Sequence, residues 1–402
     1  MIEFFYGDST LYLLAVNPEA DGDKFYKVEE LTSVKSLVST FLNSVHGDFN
    51  INNIEQDLDV FYKTASELNR ILLEPALVDK KFIRDYQKLI VVPDGILSFV
   101  PFEAFIQEAP NDKAIDFKKL TYLVRKYSFS YSFSSQVLME SNAEEFTDYG
   151  GNTLIFSYGQ DEQGAQVTNG TINGTSEESE YIASLMPATV FSGKEATKLN
   201  FKQHANEADI IHLALHGKAN VENPLKGSII FNSNGNSSAY DHLYSYELMN
   251  YNLKARLAVL SACETGMGKI YEGEGVYNLA RGFRYAGCPT LISSLWRIDD
   301  RSTALIVKGF YQQLAFGKNL DDALKQSKNQ YINSADELLA HPRYWAGMLL
   351  IGETAPIILK EQKRPWSYWL LFTLLIFVFI VSIKIILRPP TSHLSIMGGR
   401  WW

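Results

Sequence analysis

Two apolar runs of the sequence each end in a side chain that can act as a nucleophile or a base, with glycine close behind. The run "IIHLAL" leads into His216 and Gly217, and the run "LAVLSA" leads into Cys263, with Gly266 three residues further on. An imidazole beside a thiol can accept its proton, stabilise the thiolate and later protonate a leaving amine. The pair therefore predicts acyl transfer by a cysteine nucleophile with a histidine base.

The glycines leave room for a substrate backbone to approach main-chain N–H groups. The N–H groups of Gly217 and Cys263 are the predicted oxyanion hole, because such donors act most strongly when the substrate carbonyl oxygen becomes negative. Cys288, the other cysteine of the chain, lies between the end of a predicted helix and the start of a predicted strand. We interpret Cys288 as a structural residue.

The segments around these residues indicate how the chain positions them. From Asn152 to about Gly317, continuous apolar strands alternate with helical segments, a pattern typical of a mostly parallel sheet covered on both faces. Binding residues in such sheets lie just past the carboxyl ends of the strands. If the two apolar runs form neighbouring parallel strands, His216 and Cys263 emerge at the same sheet edge, within reach of each other.

Other segments show clear periodicity or loop composition. "IEFFYGDSTLYLLAVN" predicts a hairpin, and residues 29–48 and 52–78 predict two amphipathic helices. A Gly-, Asn- and Ser-rich stretch over residues 150–176 predicts a loop between two halves of the chain. The stretch that follows "ADIIHLALHG", to about Asn250, is also predicted to be a loop.

The segment after Cys263 has two predicted parts. Residues 266–275, "GMGKIYEGEG", predict a flexible loop beside the proposed nucleophile, able to order when a substrate or an activator binds. "GEGVYNLARGFRYAG" predicts a helix with apolar residues at Val276, Leu279 and Phe283.

Composition excludes several classes of function. The 402-residue chain has a net charge of −9 and a pI near 5.4, so it offers no broad basic surface to nucleic acid. Two cysteines are too few for a disulfide framework and favour a reducing compartment. His212 and His216 could form a metal site with Cys263, but no second cysteine or carboxylate follows at ligand spacing, and His212 is expected to face the sheet surface. We predict no metal and no cofactor, since the glycine-rich stretches match neither a phosphate loop nor a dinucleotide fingerprint.

The C-terminal region contains an uncharged apolar run, "WSYWLLFTLLIFVFIVSI", from Trp366 to Ile383. Its length and the aromatic residues at its start predict a transmembrane helix over residues 366–387, after a linker over 356–365 and before a short tail over 388–402. The positive-inside rule places the large N-terminal part in the cytoplasm. The basic residues before the helix are Lys360, Lys363 and Arg364, and those after it are Arg388 and Arg400.

Five longer motifs occur in order along the chain. They are "IVVPDGILSFVPFEAF", "HLALHG", "LSACETG", "EGEGVYNLARGFRYAGCPTLISSLWRIDDRST" and "HPRYWAGMLLIGE", and they span nearly all of residues 80–353. Together they resemble the CHAT domain, a bacterial branch of the caspase and separase clan of cysteine peptidases. The separation of His216 from Cys263, 263 − 216 = 47 residues, is also close to the ~50 of a caspase-type pair.

The resemblance implies a fold and a set of roles. The fold is an α/β, caspase-like three-layer sandwich with a mostly parallel central sheet over residues 150–355, preceded by an α+β part over residues 1–145. His216 is then the general base and Cys263 the nucleophile that cleaves a peptide bond.

The resemblance also implies that an acidic residue past the strand "PTLISSLW" binds a basic P1 side chain of the substrate. The sequence "LWRIDD" offers Asp299 and Asp300, of which we prefer Asp300. The alternative is that these residues cap the helix that starts near Ser302.

The sequence thus predicts a membrane-tethered, cytoplasm-facing cysteine endopeptidase of the CHAT type, acting on protein or peptide substrates in regulated proteolysis or bacterial defence signalling. The family often carries tetratricopeptide repeats; because none is recognisable in this sequence, a separate sensor or activator protein is an expected partner. Two alternatives stay open. One is a catalytically silent, caspase-like scaffold that binds partners at the membrane, and the other is a peptidase that is silent until a partner remodels its loops.

Overall fold

The structure is a computed structural model, and its compact unit Met1–Lys360 contains all of the residues that it describes. The described residues are 1–17, 22–47, 54–78, 87–110, 116–141, 151–158, 175–220, 222–233, 241–261, 269–271, 275–277 and 279–358. The predicted transmembrane helix over residues 366–387 lies outside them. Within the described part of the chain, no helix combines the length and the apolar character needed to cross a membrane.

The described residues form strands and helices along the whole unit. The strands are β1 Ile2–Tyr6, β2 Thr10–Ala15, β3 Lys24–Glu30, β4 Lys88–Val92, β5 Ser128–Tyr131, β6 Thr153–Ser157, β7 Ala188–Ser192, β8 Ile210–Ala214, β9 His216–Lys218, β10 Ser228–Phe231, β11 Asp241–Tyr244, β12 Leu257–Leu260, β13 Lys269–Tyr271, β14 Gly275–Tyr277, β15 Thr290–Ser294 and β16 Met348–Gly352. The α-helices are α1 Leu31–His46, α2 Ile54–Leu68, α3 Glu74–Leu77, α4 Leu123–Lys126, α5 Ser135–Ser141, α6 Thr175–Leu185, α7 Lys198–His204, α8 Ser245–Leu248, α9 Leu279–Tyr285, α10 Asp300–Ala315 and α11 Leu320–Ser334.

Eleven of these strands form one large sheet, in the order β3-β2-β1-β4-β5-β16-β15-β12-β8-β6-β7. Among the described residues, seven of its ten neighbouring pairs run parallel and three run antiparallel. This confirms the predicted α/β class with a large, mostly parallel sheet. Strands from both sides of residue 150 belong to it, because β5 pairs with β16, where Tyr131 lies opposite Ile351. The predicted domain boundary near residue 150 stays a prediction.

The N-terminal elements follow the sequence pattern. β1 and β2 form the predicted antiparallel hairpin, in which Phe4 lies opposite Leu13 and both side chains are buried. The two predicted amphipathic helices are α1 and α2, and α2 continues through a π-helical turn, Asn69–Leu73, into α3. Alternation with period two thus predicts the strands, and the 3.6-residue period predicts the helices.

Two segments predicted as loops contain strands. β9, β10 and β11 form a separate three-stranded sheet within the segment that ends near Asn250. Ile229, Phe231 and Leu243 are fully buried in this sheet, so these residues form strands because they have an apolar face to cover. β13 and β14 pair with Ile270 opposite Val276, and the predicted helix therefore begins only at Leu279. Ile270 and Val276 are both β-branched, and such residues favour a strand over a helix.

A buried ion pair joins distant parts of the chain. Nζ of Lys328 on α11 lies 2.7 Å from Oε1 of Glu103, and only 1% and 3% of the two side chains is exposed. The hydroxyl of Tyr131 donates a short hydrogen bond to the other oxygen of Glu103 and accepts one from the backbone N–H of Phe102 at 2.9 Å. Burial lowers the pKa of Lys328, and Glu103 opposes this change.

Candidate active site

β8 and β12 are parallel neighbours in the large sheet, as the sequence predicts. Leu213 lies opposite Leu260, and both are fully buried. His216 follows Leu213 by three residues, and Cys263 follows Leu260 by three residues. The topology therefore brings the carboxyl ends of β8 and β12 to one edge of the sheet at the same register. Cys263 and Gly266 lie outside the described residues, so contact between the two reactive side chains stays a prediction.

His216 is held by a tyrosine from the next strand. Tyr158 directly follows β6, which is the other neighbour of β8, and its hydroxyl accepts a hydrogen bond from the backbone N–H of His216 at 3.1 Å. The same hydroxyl donates to the carbonyl oxygen of Ile230 at 2.6 Å. The Tyr158 ring also packs against the imidazole, with 5.0 Å between ring centroids. Because Tyr158 is 2% exposed, it anchors His216 at the start of β9.

The glycine of the predicted oxyanion hole lies in the same small sheet. Gly217 is the second residue of β9, opposite Ile229 of β10. Since Cys263, the other predicted N–H donor, lies outside the described residues, the oxyanion hole stays a prediction.

Asp299 and Asp300 follow β15, which is a parallel neighbour of β12. Asp299 caps α10: its Oδ2 accepts hydrogen bonds at 3.0 Å from both the backbone N–H and the hydroxyl of Ser302. Asp300 is the first residue of the helix and is half-buried. The capping interpretation therefore accounts for Asp299, and binding of a basic P1 side chain stays a prediction for Asp300.

Asp300 lies in electrostatic reach of His216. Burial raises the pKa of the Asp300 carboxyl, while the nearby charge of Arg297 lowers it, as does His216. The negative charges of Asp299 and Glu178 raise it further. Burial and these four neighbouring groups define the environment of Asp300, the member of the Asp299–Asp300 pair that does not form the cap.

Cys288 has the character of a structural residue. It is fully buried, and its Sγ–H donates to the carbonyl oxygen of Thr290 at 3.3 Å. Burial raises the pKa of the Cys288 thiol to about 12. Because the thiolate is the nucleophile, Cys288 is unsuited to nucleophilic catalysis at neutral pH.

His212, the third residue considered for a metal site, is fully buried in β8. Its Nε2 lies 2.8 Å from Oε1 of Glu178 on α6, and its Nδ1 lies 3.3 Å from the hydroxyl of Tyr311 on α10. A protein group thus lies close to each ring nitrogen, although Nε2 of His212 and Oε1 of Glu178 do not meet in hydrogen-bond geometry.

Sequence reasoning missed Tyr158 and Glu178 as neighbours of the site. Tyr158 ends the apolar run "LIFSY", so the rule that locates sites past the carboxyl ends of parallel strands could have found it. Glu178 lies on α6 and shows no local signal, because its role depends on which strand the helix covers.

Comparison with protein families identifies the family of the chain. The sequence matches the CHAT domain family over residues 62–353. This match starts in α2, ends just past β16 and includes every candidate site residue. No curated protein matches the chain at a significant level.

Similar solved structures belong to cysteine peptidases and their complexes. A chain of the Saccharomyces cerevisiae separase–securin complex matches with a TM-score of 0.52 and 10% identity, over 88% of this chain and 30% of that chain. The complex of the Porphyromonas gingivalis RgpB pro- and mature domains matches with a TM-score of 0.47 and 10% identity, over 81% of this chain and 77% of that chain. This chain thus spans 30% of the length of the first structure. At 10% identity, that likeness shows a shared fold.

Proposed function

Because the chain belongs to the CHAT domain family, we propose that it is a cysteine endopeptidase in which His216 is the general base and Cys263 the nucleophile. One observation carries this proposal: the pairing of Leu213 with Leu260 in adjacent parallel strands. In the sequence, each proposed catalytic residue follows its paired leucine by three residues, and the sites of α/β proteins lie past the carboxyl ends of such strands.

The chemistry that we propose is peptide-bond hydrolysis in two stages. The Sγ–H proton of Cys263 passes to the His216 imidazole, and the thiolate sulfur forms a bond to the substrate carbonyl carbon. The N–H groups of Gly217 and Cys263 stabilise the oxyanion. The carbon–nitrogen bond breaks as the His216 imidazolium gives its proton to the leaving amine, and water then hydrolyses the thioester to regenerate the thiol.

We further propose that Asp300 selects a basic residue at P1. Its carboxyl is half-buried next to the catalytic edge, and an arginine or lysine side chain of the substrate would supply a nearby positive charge. That positive charge would favour the ionised carboxylate, which burial disfavours in the free protein.

Membrane attachment is a separate part of the proposal. It rests on the apolar run over residues 366–383 alone. A tether would raise the effective concentration of the peptidase toward membrane-associated proteins, and a role in regulated proteolysis or bacterial defence would suit such an enzyme.

A thiol-reactive peptide probe with arginine at P1 tests the proposed function on the purified full chain. Peptide mapping by mass spectrometry should place the label on Cys263. The Cys263→Ala variant should lose the label and all peptide cleavage, and His216→Ala should slow labelling at least ~100-fold, the effect typical of removing a general base. Asp300→Asn should slow labelling by the arginine probe more than by a matched leucine probe.

The matched control is Cys288→Ala, which removes the buried thiol and should be labelled like the unmodified protein. Cleavage retained by Cys263→Ala would overturn the proposed function. An unlabelled Cys263 in a folded chain would favour the silent scaffold instead.

A further inference from the structure

Three polar side chains meet in the interior beneath the candidate active site. His212 of β8 lies 2.8 Å from the Glu178 carboxylate and 3.3 Å from the Tyr311 hydroxyl. The His212 and Tyr311 rings pack edge to face, with 5.5 Å between their centroids. Only 0% of the His212 side chain and 3% of the Glu178 side chain is exposed, so both groups are shielded from water.

Burying these polar groups in the interior costs free energy of folding. His212 is a central residue of β8, whose neighbours Ile211 and Leu213 are fully buried apolar residues. Aliphatic residues in place of both His212 and Glu178 would remove the desolvation cost of the buried carboxyl and imidazole, and replacing buried ionic groups with well-packed apolar ones often stabilises proteins. Buried polar groups that packing alone does not require point to a positional role.

The three residues connect the two elements that carry the site. His212 lies four residues before His216 on the same stretch of chain. Tyr311 belongs to α10, the helix whose first residue is Asp300. Glu178 comes from α6, and α6 and α10 contact each other. The contacts of His212 therefore fix the strand that leads to His216 against the helix that starts at Asp300.

Electrostatics supports the same connection. The charge of Glu178 acts on the Asp300 carboxyl, and so does His216, in the opposite direction. Glu178 thus acts electrostatically on Asp300 and also contacts His212 in the interior. The other charged groups acting on Asp300 are Arg297 and Asp299.

We propose that Glu178, His212 and Tyr311 form a positioning set that holds the proposed catalytic histidine, His216, in register with Asp300. None of the three touches the substrate in this role. They act through the strand and the helix that carry His216 and Asp300. The proposal rests on the proposed function, in which His216 is the general base.

The test compares two neighbouring glutamates of α6 in the full chain. Glu178→Gln keeps the size of the buried side chain and removes its charge. Glu177→Gln is the matched control, because the Glu177 side chain is 80% exposed and makes only a 3.4 Å surface contact with Lys308. Histidine labelled with ¹³C at Cε1 reports each imidazole by NMR, and loss of one signal in His216→Gln assigns His216.

In Glu178→Gln, the Cε1 signal of His216 should shift, because the contact that holds β8 against α6 is altered. In Glu177→Gln the same signal should keep its position, because the Glu177 side chain is exposed. Arg297, Asp299 and Asp300 are the same in both variants, so they do not cause the difference. Labelling of Cys263 by the peptide probe should slow about tenfold in Glu178→Gln and stay unchanged in Glu177→Gln.

Tyr311→Phe provides a second variant that keeps the ring and removes only the hydroxyl beside His212. It should change the His216 signal while leaving the protein folded. An unchanged His216 signal in both Glu178→Gln and Tyr311→Phe would overturn the positioning role. The NMR measurement needs no cleavage, so an unreactive Cys263 would contradict the proposed function alone.

Discussion

The ion pair between Glu103 and Lys328 is buried, and an exposed pair elsewhere in the protein has the same length. Comparing the two shows how burial, at a fixed distance, changes the stability that is lost when an ion pair is broken. At the observed 2.7 Å, two unit charges attract by about 6 kcal/mol at an effective dielectric constant of ~20. Desolvation of the two ions offsets much of this attraction. Lys328→Met removes the attraction but leaves the Glu103 carboxylate buried, so we expect the free energy of unfolding to fall by about 3–5 kcal/mol.

The comparison variant is Lys63→Met, which breaks an ion pair of the same length. Nζ of Lys63 also lies 2.7 Å from Asp59, but the two side chains are 71% and 46% exposed. At the dielectric constant of water the attraction is only about 1.5 kcal/mol, and the cost of ordering two long side chains offsets most of it. We expect Lys63→Met to lower the free energy of unfolding by about 0.5 kcal/mol or less.

Urea unfolding of the full chain near neutral pH, followed by tryptophan fluorescence, measures both values. Combining Glu103→Gln with Lys328→Met should recover a large part of the loss, because no unpaired buried charge then remains. Equal losses for Lys328→Met and Lys63→Met would refute the reasoning, since burial would then contribute nothing to the effect of an otherwise similar pair.

Two further predictions concern single residues. Burial lowers the pKa of His341 far below its usual range, and Arg343 acts in the same direction; the unfolded chain therefore takes up a proton below pH ~6.5 that the folded chain does not. The free energy of unfolding should consequently fall by up to about 1.4 kcal/mol per pH unit below that value, and His341→Gln should reduce this slope in urea titrations at about pH 7 and about pH 5.5. Tyr158→Phe keeps the ring beside His216 but removes both hydrogen bonds of the hydroxyl, so labelling of Cys263 should slow about tenfold. Labelling at the unmodified rate would show that Tyr158 does not position His216.

Periodicity and strand-end rules predict much of the fold around the site. The strands that lead to His216 and toward Cys263 are parallel neighbours. Each consists mostly of apolar residues, and such residues are buried on both faces when the strand lies in the middle of a sheet. The prediction of helices α1 and α2 succeeded for a similar reason, since each buries one apolar stripe.

The sequence could not predict contacts that depend on which elements pack together. Glu178 approaches His212 because α6 packs against β6, the neighbour of β8, and no spacing within either segment signals this contact. The small sheet after His216 was also missed, because its short strands contain only three or four residues each. Local patterns of that length carry too few alternations to distinguish a strand from a loop.

The position of β16 has a consequence for how the protein is made. This strand, Met348–Gly352, lies between β15 and β5 and so joins the strands β1–β5 to β8 and β12, which lead to His216 and Cys263. A ribosome produces all of those strands first, and β5 and β15 each keep an open edge until β16 emerges. The nascent chain therefore carries two half-sheets prone to wrong pairing. Completion of the sheet is a late event of translation, and a chain stopped before residue 348 should be a substrate for chaperones rather than a folded protein.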